Sequence, residues 1–127
     1  MKSILIADSS DAVLDLLAEA FALDGWAVTR TSSSAWAAEV LRGPDHYDAL
    51  LLGYRFVDMD GVALIAGVRA LDHRKDLPIV LATANTTCEV VAAALAAGAD
   101  DVVHKPADID ALVMGVRKCI ERRRPRR

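Results

Sequence analysis

The sequence predicts a doubly wound α/β domain with five parallel strands, and three observations lead to that fold class. Short apolar runs alternate five times with segments of helical periodicity along the 127 residues. The connections between them are only a few residues long. The runs Ile4–Ala7 and Ala49–Leu52 are wholly apolar, as is typical of parallel strands that are buried on both faces. This length suits one domain rather than two.

Each strand and helix of this pattern has its own signals. Ser9, Ser10 or Asp11 can cap the first helix, and Gly25 and Gly98 follow the first and fourth helices as stop signals. Five strands with right-handed crossovers favour the flavodoxin-like strand order 2-1-3-4-5. The predicted strands are residues 4–7, 26–31, 49–52, 78–82 and 101–104. The predicted helices are residues 11–24, 33–41, 61–71 and 86–97, with a last helix that Asp108 caps and that ends near Arg122.

Composition excludes several classes of protein. With 54% hydrophobic and 26% charged residues the chain is typical of a globular protein rather than a disordered one. No apolar run approaches the ~18 residues of a membrane span, and no signal-peptide pattern precedes Ile4. Cys88 and Cys119 are too few for a disulfide scaffold and are interpreted as structural. These features favour a cytoplasmic protein over a secreted, fibrous or membrane one.

The charge is unevenly distributed. The formal net charge is −3, and five of the fifteen basic residues lie in 122–127, so residues 1–121 hold ten basic and eighteen acidic residues, a charge of −8. An acidic body does not provide the positive surface that nucleic acid requires, so we expect no nucleic acid to bind this domain. We expect residues 1–121 to form the domain and residues 122–127 to be a basic tail or the start of a linker.

Ligands of such sheets bind beyond the carboxyl ends of the strands. The side chains expected there are Asp8 and Ser9 after strand 1, Thr83 at the end of strand 4 and Lys105 after strand 5, together with residues 53–59 after strand 3. No glycine-rich phosphate loop occurs at these positions, so dinucleotide or P-loop nucleotide binding is not expected.

Six stretches of the chain together carry a family resemblance. Over residues 3–121 the sequence resembles the receiver domain of bacterial two-component response regulators. The matching stretches are ILIAD at 4–8, DGWAV at 24–28, MDG at 59–61, LPIVLATA at 77–84, AAGADD at 96–101 and KP at 105–106. The resemblance implies a carboxylate at the end of strand 3 that accepts a phosphoryl group from a histidine kinase. It also implies two acids after strand 1 that help to hold Mg²⁺, a Thr or Ser that ends strand 4 and a Lys that ends strand 5.

The sequence departs from that pattern at the positions that carry the chemistry. Counting back eight residues from Gly61 places Gly53 at the acceptor position, and Ser9 stands at the second acidic position, leaving Asp8. Thr83 and Lys105 match the family pattern. Other departures are Phe56-Val57 in place of the usual Met-Pro, and Val102 in place of the aromatic residue of strand 5.

These departures predict a receiver without its phosphorylation chemistry. Glycine has no oxygen nucleophile, so Gly53 cannot accept a phosphoryl group. Asp8 with the Ser9 hydroxyl makes a poor Mg²⁺ site, because this ion prefers six oxygen ligands that include carboxylates. We therefore expect a domain that is not an enzyme, has no cofactor, binds Mg²⁺ weakly if at all, and receives no phosphoryl group from a histidine kinase. Its vestigial pocket comprises Asp8, Ser9, Gly53, Thr83 and Lys105.

Several alternatives stay open at this point. Asp58 or Asp60 could serve as another phosphate acceptor, although the pattern favours a solvated loop acid for Asp58 and a helix N-terminal residue for Asp60. A small-ligand sensor could use the pocket beside Gly53. Lys105 could pair with Asp8 or reach into water. Thr83 is interpreted as a cap of helix 4.

The fourth predicted helix has almost no charge, since Glu89 is its one charged residue. A helix that packs on one side of a sheet should show a polar outer stripe, so this helix predicts a covered surface. The resemblance implies that a protein partner or a second copy binds through helix 4, strand 5 and helix 5. The candidate contact residues are Trp36, Cys88, Val91, Leu95 and Val102.

Overall fold

A computed structural model of the chain describes residues 2–104 and 109–123. Strands and helices alternate along these residues as the sequence predicts. The strands are β1 Ser3–Ala7, β2 Ala27–Thr31, β3 Ala49–Gly53, β4 Ile79–Thr83 and β5 Asp101–His104. The α-helices are α1 Asp11–Leu23, α2 Ser34–Arg42, α3 Gly61–Arg69, α4 Cys88–Ala97 and α5 Ile109–Arg123, and a short 3₁₀ helix spans Asp72–Arg74.

The five strands form one parallel sheet in the order β2-β1-β3-β4-β5, which confirms the predicted fold class. The register aligns the carboxyl ends of the strands. Ala7 lies opposite Leu52, Gly53 opposite Ala82, and Thr83 opposite His104. The residues that follow β1, β3 and β4 therefore meet at one edge of the sheet.

Helices cover both faces of the sheet. Alternate strand residues such as Ile6 and Leu51 pack against α1 and α5, and their neighbours Leu5 and Leu52 pack against α2, α3 and α4. This arrangement explains why the central strands are apolar at every position. Among the described residues, no helix is long and apolar enough to cross a membrane.

One tryptophan and the two cysteines differ in burial. Trp26 is buried against Phe21 in an edge-to-face contact with 5.4 Å between ring centroids. Cys119 is buried in the core, and burial raises the pKa of its thiol. Cys88, by contrast, is exposed at the first turn of α4, so its interpretation as a structural cysteine is wrong.

The starts of one helix and one strand differ from the prediction by one or two residues, and local hydrogen bonds explain both differences. The fourth helix begins at Cys88 rather than at residue 86, because the Thr87 side chain accepts the hydrogen bond from the Val90 N–H and caps the helix. The second strand begins at Ala27 rather than at Trp26, whose N–H donates to the Phe21 carbonyl at the end of α1. Asp108, the predicted cap of α5, lies outside the described residues.

Candidate functional site

A cavity of about 510 Å³ lies at the carboxyl ends of β1, β3 and β4. It occupies the point where the strand order reverses between β1 and β3, which is the usual ligand position in sheets of this kind. The described residues that line it are Asp8, Ser9, Gly53, Tyr54, Arg55, Ala82, Thr83, Ala84 and Asn85.

Asp8 supplies the buried carboxylate of this cavity, and only 4% of its surface is exposed. Its backbone N–H donates to the Thr31 carbonyl at 3.1 Å, which extends the β1–β2 pairing by one residue. Its carboxylate Oδ1 accepts from the Ser10 N–H at 3.0 Å, while the Ser10 side chain caps α1. The start of α1 therefore fixes the Asp8 carboxylate, and the neighbouring Ser9 is exposed.

Thr83 ends β4 and is 4% exposed. Its hydroxyl oxygen accepts from the Asn85 N–H at 3.0 Å, a short-range turn bond. The prediction that Thr83 caps the fourth helix is wrong, because that cap is Thr87, four residues further on. Thr83 instead holds the first turn of the loop between β4 and α4 and lines the cavity.

Gly53 ends β3, and its conformation does not require glycine. The glycines with positive φ are Gly25 and Gly98, so the backbone at Gly53 is one that any residue can adopt. Gly61 differs, because an added Cβ there would overlap the Gly53 carbonyl oxygen and lie 2.9 Å from Leu81 Cδ1. The fold therefore demands glycine at position 61, and the backbone conformation at position 53 does not.

The two alternative acids both serve as hydrogen-bond acceptors. Asp60 caps α3 by accepting from the Ala63 N–H at 2.8 Å, in agreement with its predicted helix N-terminal position. Asp58 is exposed but accepts a hydrogen bond from the hydroxyl of the buried Ser34 on α2, so it is not merely a solvated acid. Neither carboxylate is among the described residues that line the cavity.

The described donor set fits Mg²⁺ poorly. Asp8 contributes the one carboxylate among the described lining residues, and Ser9, Thr83 and Asn85 add weaker oxygen donors. Within residues 2–104 and 109–123, no group of three or more His, Cys, Asp or Glu residues could hold a metal ion. The three histidines have separate contacts, since His46 binds Asp48, His73 binds the Leu41 and Gly43 carbonyls, and His104 binds Thr86.

The candidate contact residues are largely accessible. Trp36 is 45% exposed and Leu95 is 48% exposed, while Val91 and Val102 are half-buried. On α4 the described structure buries only Val90 and Ala94, so most of this nearly uncharged helix faces outward.

The comparison with protein families identifies the family of this fold. The model of the response regulator receiver domain matches residues 4–117. The chain belongs to this family. Among curated proteins, regulatory protein AtoC of Escherichia coli is 35% identical over 118 residues, which cover 93% of this chain and 25% of AtoC. Transcriptional regulatory protein PrrA of Mycobacterium leprae is 32% identical over 94% of this chain and 50% of PrrA.

Solved receiver structures agree with this assignment. A putative response regulator from Chloroflexus aurantiacus has a TM-score of 0.88 at 29% identity, covering 94% of this chain and 98% of that one. The receiver domain protein from Methanospirillum hungatei has a TM-score of 0.90 at 22% identity, covering 97% and 96%, and shows the shared fold. The present receiver domain spans a quarter to a half of the two curated relatives, AtoC and PrrA.

The structure brings four of the five predicted pocket residues together in one cavity. Asp8, Ser9, Gly53 and Thr83 all line it, whereas Lys105 and its proposed pairing with Asp8 lie outside the described residues. Asn85 was missed as a lining residue. Its position two residues after the end of β4 could have indicated that Asn85 lies at the cavity.

Proposed function

We propose that this receiver domain acts in two-component signalling through phosphorylation-independent contact with another protein. The observation that supports the proposal is that Gly53 ends β3 and lines the cavity, at the position where the sequence resemblance places the acceptor. A phosphoryl acceptor needs an oxygen nucleophile, and glycine provides none. The domain is therefore a binding module and not an enzyme.

The contacts of the alternative acids support this proposal. Moving Asp58 into the cavity would break its hydrogen bond with the buried Ser34 hydroxyl, and moving Asp60 would uncap α3. Losing a helix cap costs about 1 kcal/mol, and an unpaired buried hydroxyl costs about 1–3 kcal/mol. Both acids thus have structural roles that oppose transfer chemistry.

Mg²⁺ binding is weak in this proposal, because Asp8 is the one described carboxylate at the cavity. Without a strong metal site, no cation neutralises the charge that develops during phosphoryl transfer. The loss of the acceptor and the loss of the metal site therefore act in the same direction.

The proposed contact surface is the outward side of α4, continued on β5 and α5, with a protein partner or a second copy as its occupant. Leu95 and Cys88 are exposed on α4, and Glu89 is the one charged residue of the helix. Exposed apolar surface of this kind often marks a protein contact.

Intact-mass spectrometry after incubation with acetyl phosphate and Mg²⁺ tests the phosphorylation-independent mode. We expect no phosphoryl mass gain on the wild-type chain. The matched control is the double variant Gly53→Asp/Ser9→Asp, which restores both missing carboxylates and should gain one phosphoryl group. A wild-type gain that is lost in Asp58→Asn or Asp60→Asn would refute the proposal and identify the acceptor.

A further inference from the structure

One hydrogen-bond donor at the cavity beside Gly53, the Thr83 hydroxyl, has no acceptor among the described residues. Thr83 is 4% exposed, and its hydroxyl oxygen accepts from the Asn85 N–H. Within the described part of the chain, no acceptor is found for the Thr83 hydroxyl proton. A buried hydroxyl that lines a cavity is stabilised when a bound group accepts this proton.

We propose that this cavity binds the carboxylate group of a small organic acid, which accepts a hydrogen bond from the Thr83 hydroxyl. The inference deepens the proposed function by naming a ligand class for the same cavity, and it rests on that proposal in treating position 53 as one without an acceptor side chain. The ligand carboxylate would take the space that an acidic side chain at Gly53 would otherwise fill.

Two charged side chains of opposite sign act on an anionic ligand at the cavity. Among the described lining residues these are Asp8 and Arg55. The Asp8 carboxylate is held within the chain, including its bond from the Ser10 N–H, and it opposes the close approach of a second carboxylate. Arg55 is exposed and can attract an anion as it approaches.

Size and lining indicate a short apolar body behind the carboxylate. The volume of about 510 Å³ lies within the range of roughly 300–1,000 Å³ that is usual for small-molecule sites. Ala82, Ala84 and Tyr54 provide apolar lining. We therefore expect affinity to rise from acetate through propionate to butyrate, by about threefold to fourfold for each methylene that becomes buried.

Amide ¹H–¹⁵N NMR titration of the full chain with sodium acetate, propionate and butyrate tests the proposal, with sodium chloride at equal ionic strength as the reference. We expect saturable shifts at Gly53, Tyr54 and Ala84 that chloride does not produce, and tightening along the series. Shifts that do not saturate, or that chloride reproduces, would overturn the proposal.

Three variants test the Thr83 hydroxyl and the space beside Gly53 separately. Thr83→Val should weaken binding at least fivefold, whereas Thr83→Ser keeps the hydroxyl and should retain binding within twofold. Gly53→Asn should abolish saturable binding because it fills the space without adding charge. Equal binding by the wild type and Thr83→Val would contradict the role of the hydroxyl, and equal binding by Gly53→Asn would contradict the location.

The two proposals fail separately. Phosphoryl labelling of Asp58 or Asp60 would refute the proposed function while carboxylate binding beside Gly53 could still be measured. Absence of carboxylate binding would refute the present inference and leave the mass-spectrometric result unchanged.

Discussion

The two ends of the sheet differ in how the chain holds them. At the amino end, buried Arg74 donates to the carbonyls of Leu41, Gly43 and Asp45, which lie 29 to 33 residues earlier in the chain. At the carboxyl end, Asp8 and Thr83 each accept from an N–H two residues along the chain, and Asp58 accepts from the Ser34 hydroxyl, 24 residues earlier.

Arg69 reinforces this difference at the amino end. Its guanidinium donates to the Gly98 and Arg74 carbonyls and to Asp100, which in turn accepts from the Ile79 N–H at the start of β4. Arginine side chains thus join distant segments at the amino end, while short turns hold Asp8 and Thr83 at the other end. We infer that substitutions at the amino end cost more stability than substitutions at the cavity.

The largest expected effect comes from breaking the amino end at Arg74. Arg74→Met keeps much of the apolar stem but leaves three carbonyl acceptors without their charged donor. We expect the free energy of unfolding to fall by about 3 kcal/mol, measured by urea denaturation monitored by circular dichroism. Arg55→Met is the matched control, because Arg55 is exposed at the cavity end, and it should change stability by less than about 0.5 kcal/mol. Equal losses in the two variants would contradict the comparison.

The next effect tests the close packing of Gly61 against Gly53 at the cavity end. Gly61→Ala forces its Cβ into the Gly53 carbonyl, so we expect a loss of about 2 kcal/mol from displacement of the start of α3. Gly67→Ala on the same helix has open space around the new Cβ and should gain about 0.5–1 kcal/mol from helix propensity. Thermal denaturation of both variants checks this, and the prediction is wrong if the two substitutions shift the midpoint in the same direction.

The third effect concerns the pH dependence of the amino end. Burial acts to raise the pKa of Asp48, but hydrogen bonds from the Ser3 N–H and from His46 outweigh it, so the pKa lies below its ordinary value. A lowered pKa in the folded state stabilises the protein above the unfolded pKa of about 3.9, and this contribution is lost as the pH falls through the folded value.

Asp48→Asn should therefore cost about 1 kcal/mol at pH 7, and its difference from the wild type should shrink as the pH falls below about 4. Urea midpoints at pH 7, 5 and 3.5 measure this. Asp45→Asn is the control, since Asp45 is exposed in the same loop and its side chain makes no hydrogen bond within the described residues. A constant difference across this pH range would show that charge at Asp48 is not the cause.

The same contrast explains what the sequence could predict. The central strands were predictable because burial on both faces leaves wholly apolar runs, and the Asp60 cap was predictable because capping is local. Burial of Arg74 was not predictable, because Arg74 lies in a polar and charged stretch, residues 72–76, that has no apolar periodicity. The Ser34–Asp58 bond joins residues 24 positions apart, and only the packing of α2 beside the β3–α3 loop brings them together.

The last expected effect is similar in size to that of Asp48→Asn and concerns the cavity. Gly53→Asp adds a carboxylate that lines the same cavity as Asp8, and repulsion between like charges raises the pKa of the introduced carboxyl group. A carboxyl pKa that is raised in the folded state lowers stability at pH values above the unfolded pKa. We therefore expect the free energy of unfolding of Gly53→Asp at pH 7 to fall by about 1 kcal/mol, equivalent to roughly one pKa unit. This loss should disappear as the pH falls below about 4.

Millimolar Mg²⁺ should recover part of the loss in Gly53→Asp and leave the wild type unchanged, because only the variant presents two described carboxylates to the cation. Thermal midpoints with and without Mg²⁺ measure this. A wild-type chain that Mg²⁺ stabilises as strongly as the variant would show that the cavity keeps a competent metal site despite Gly53 and Ser9.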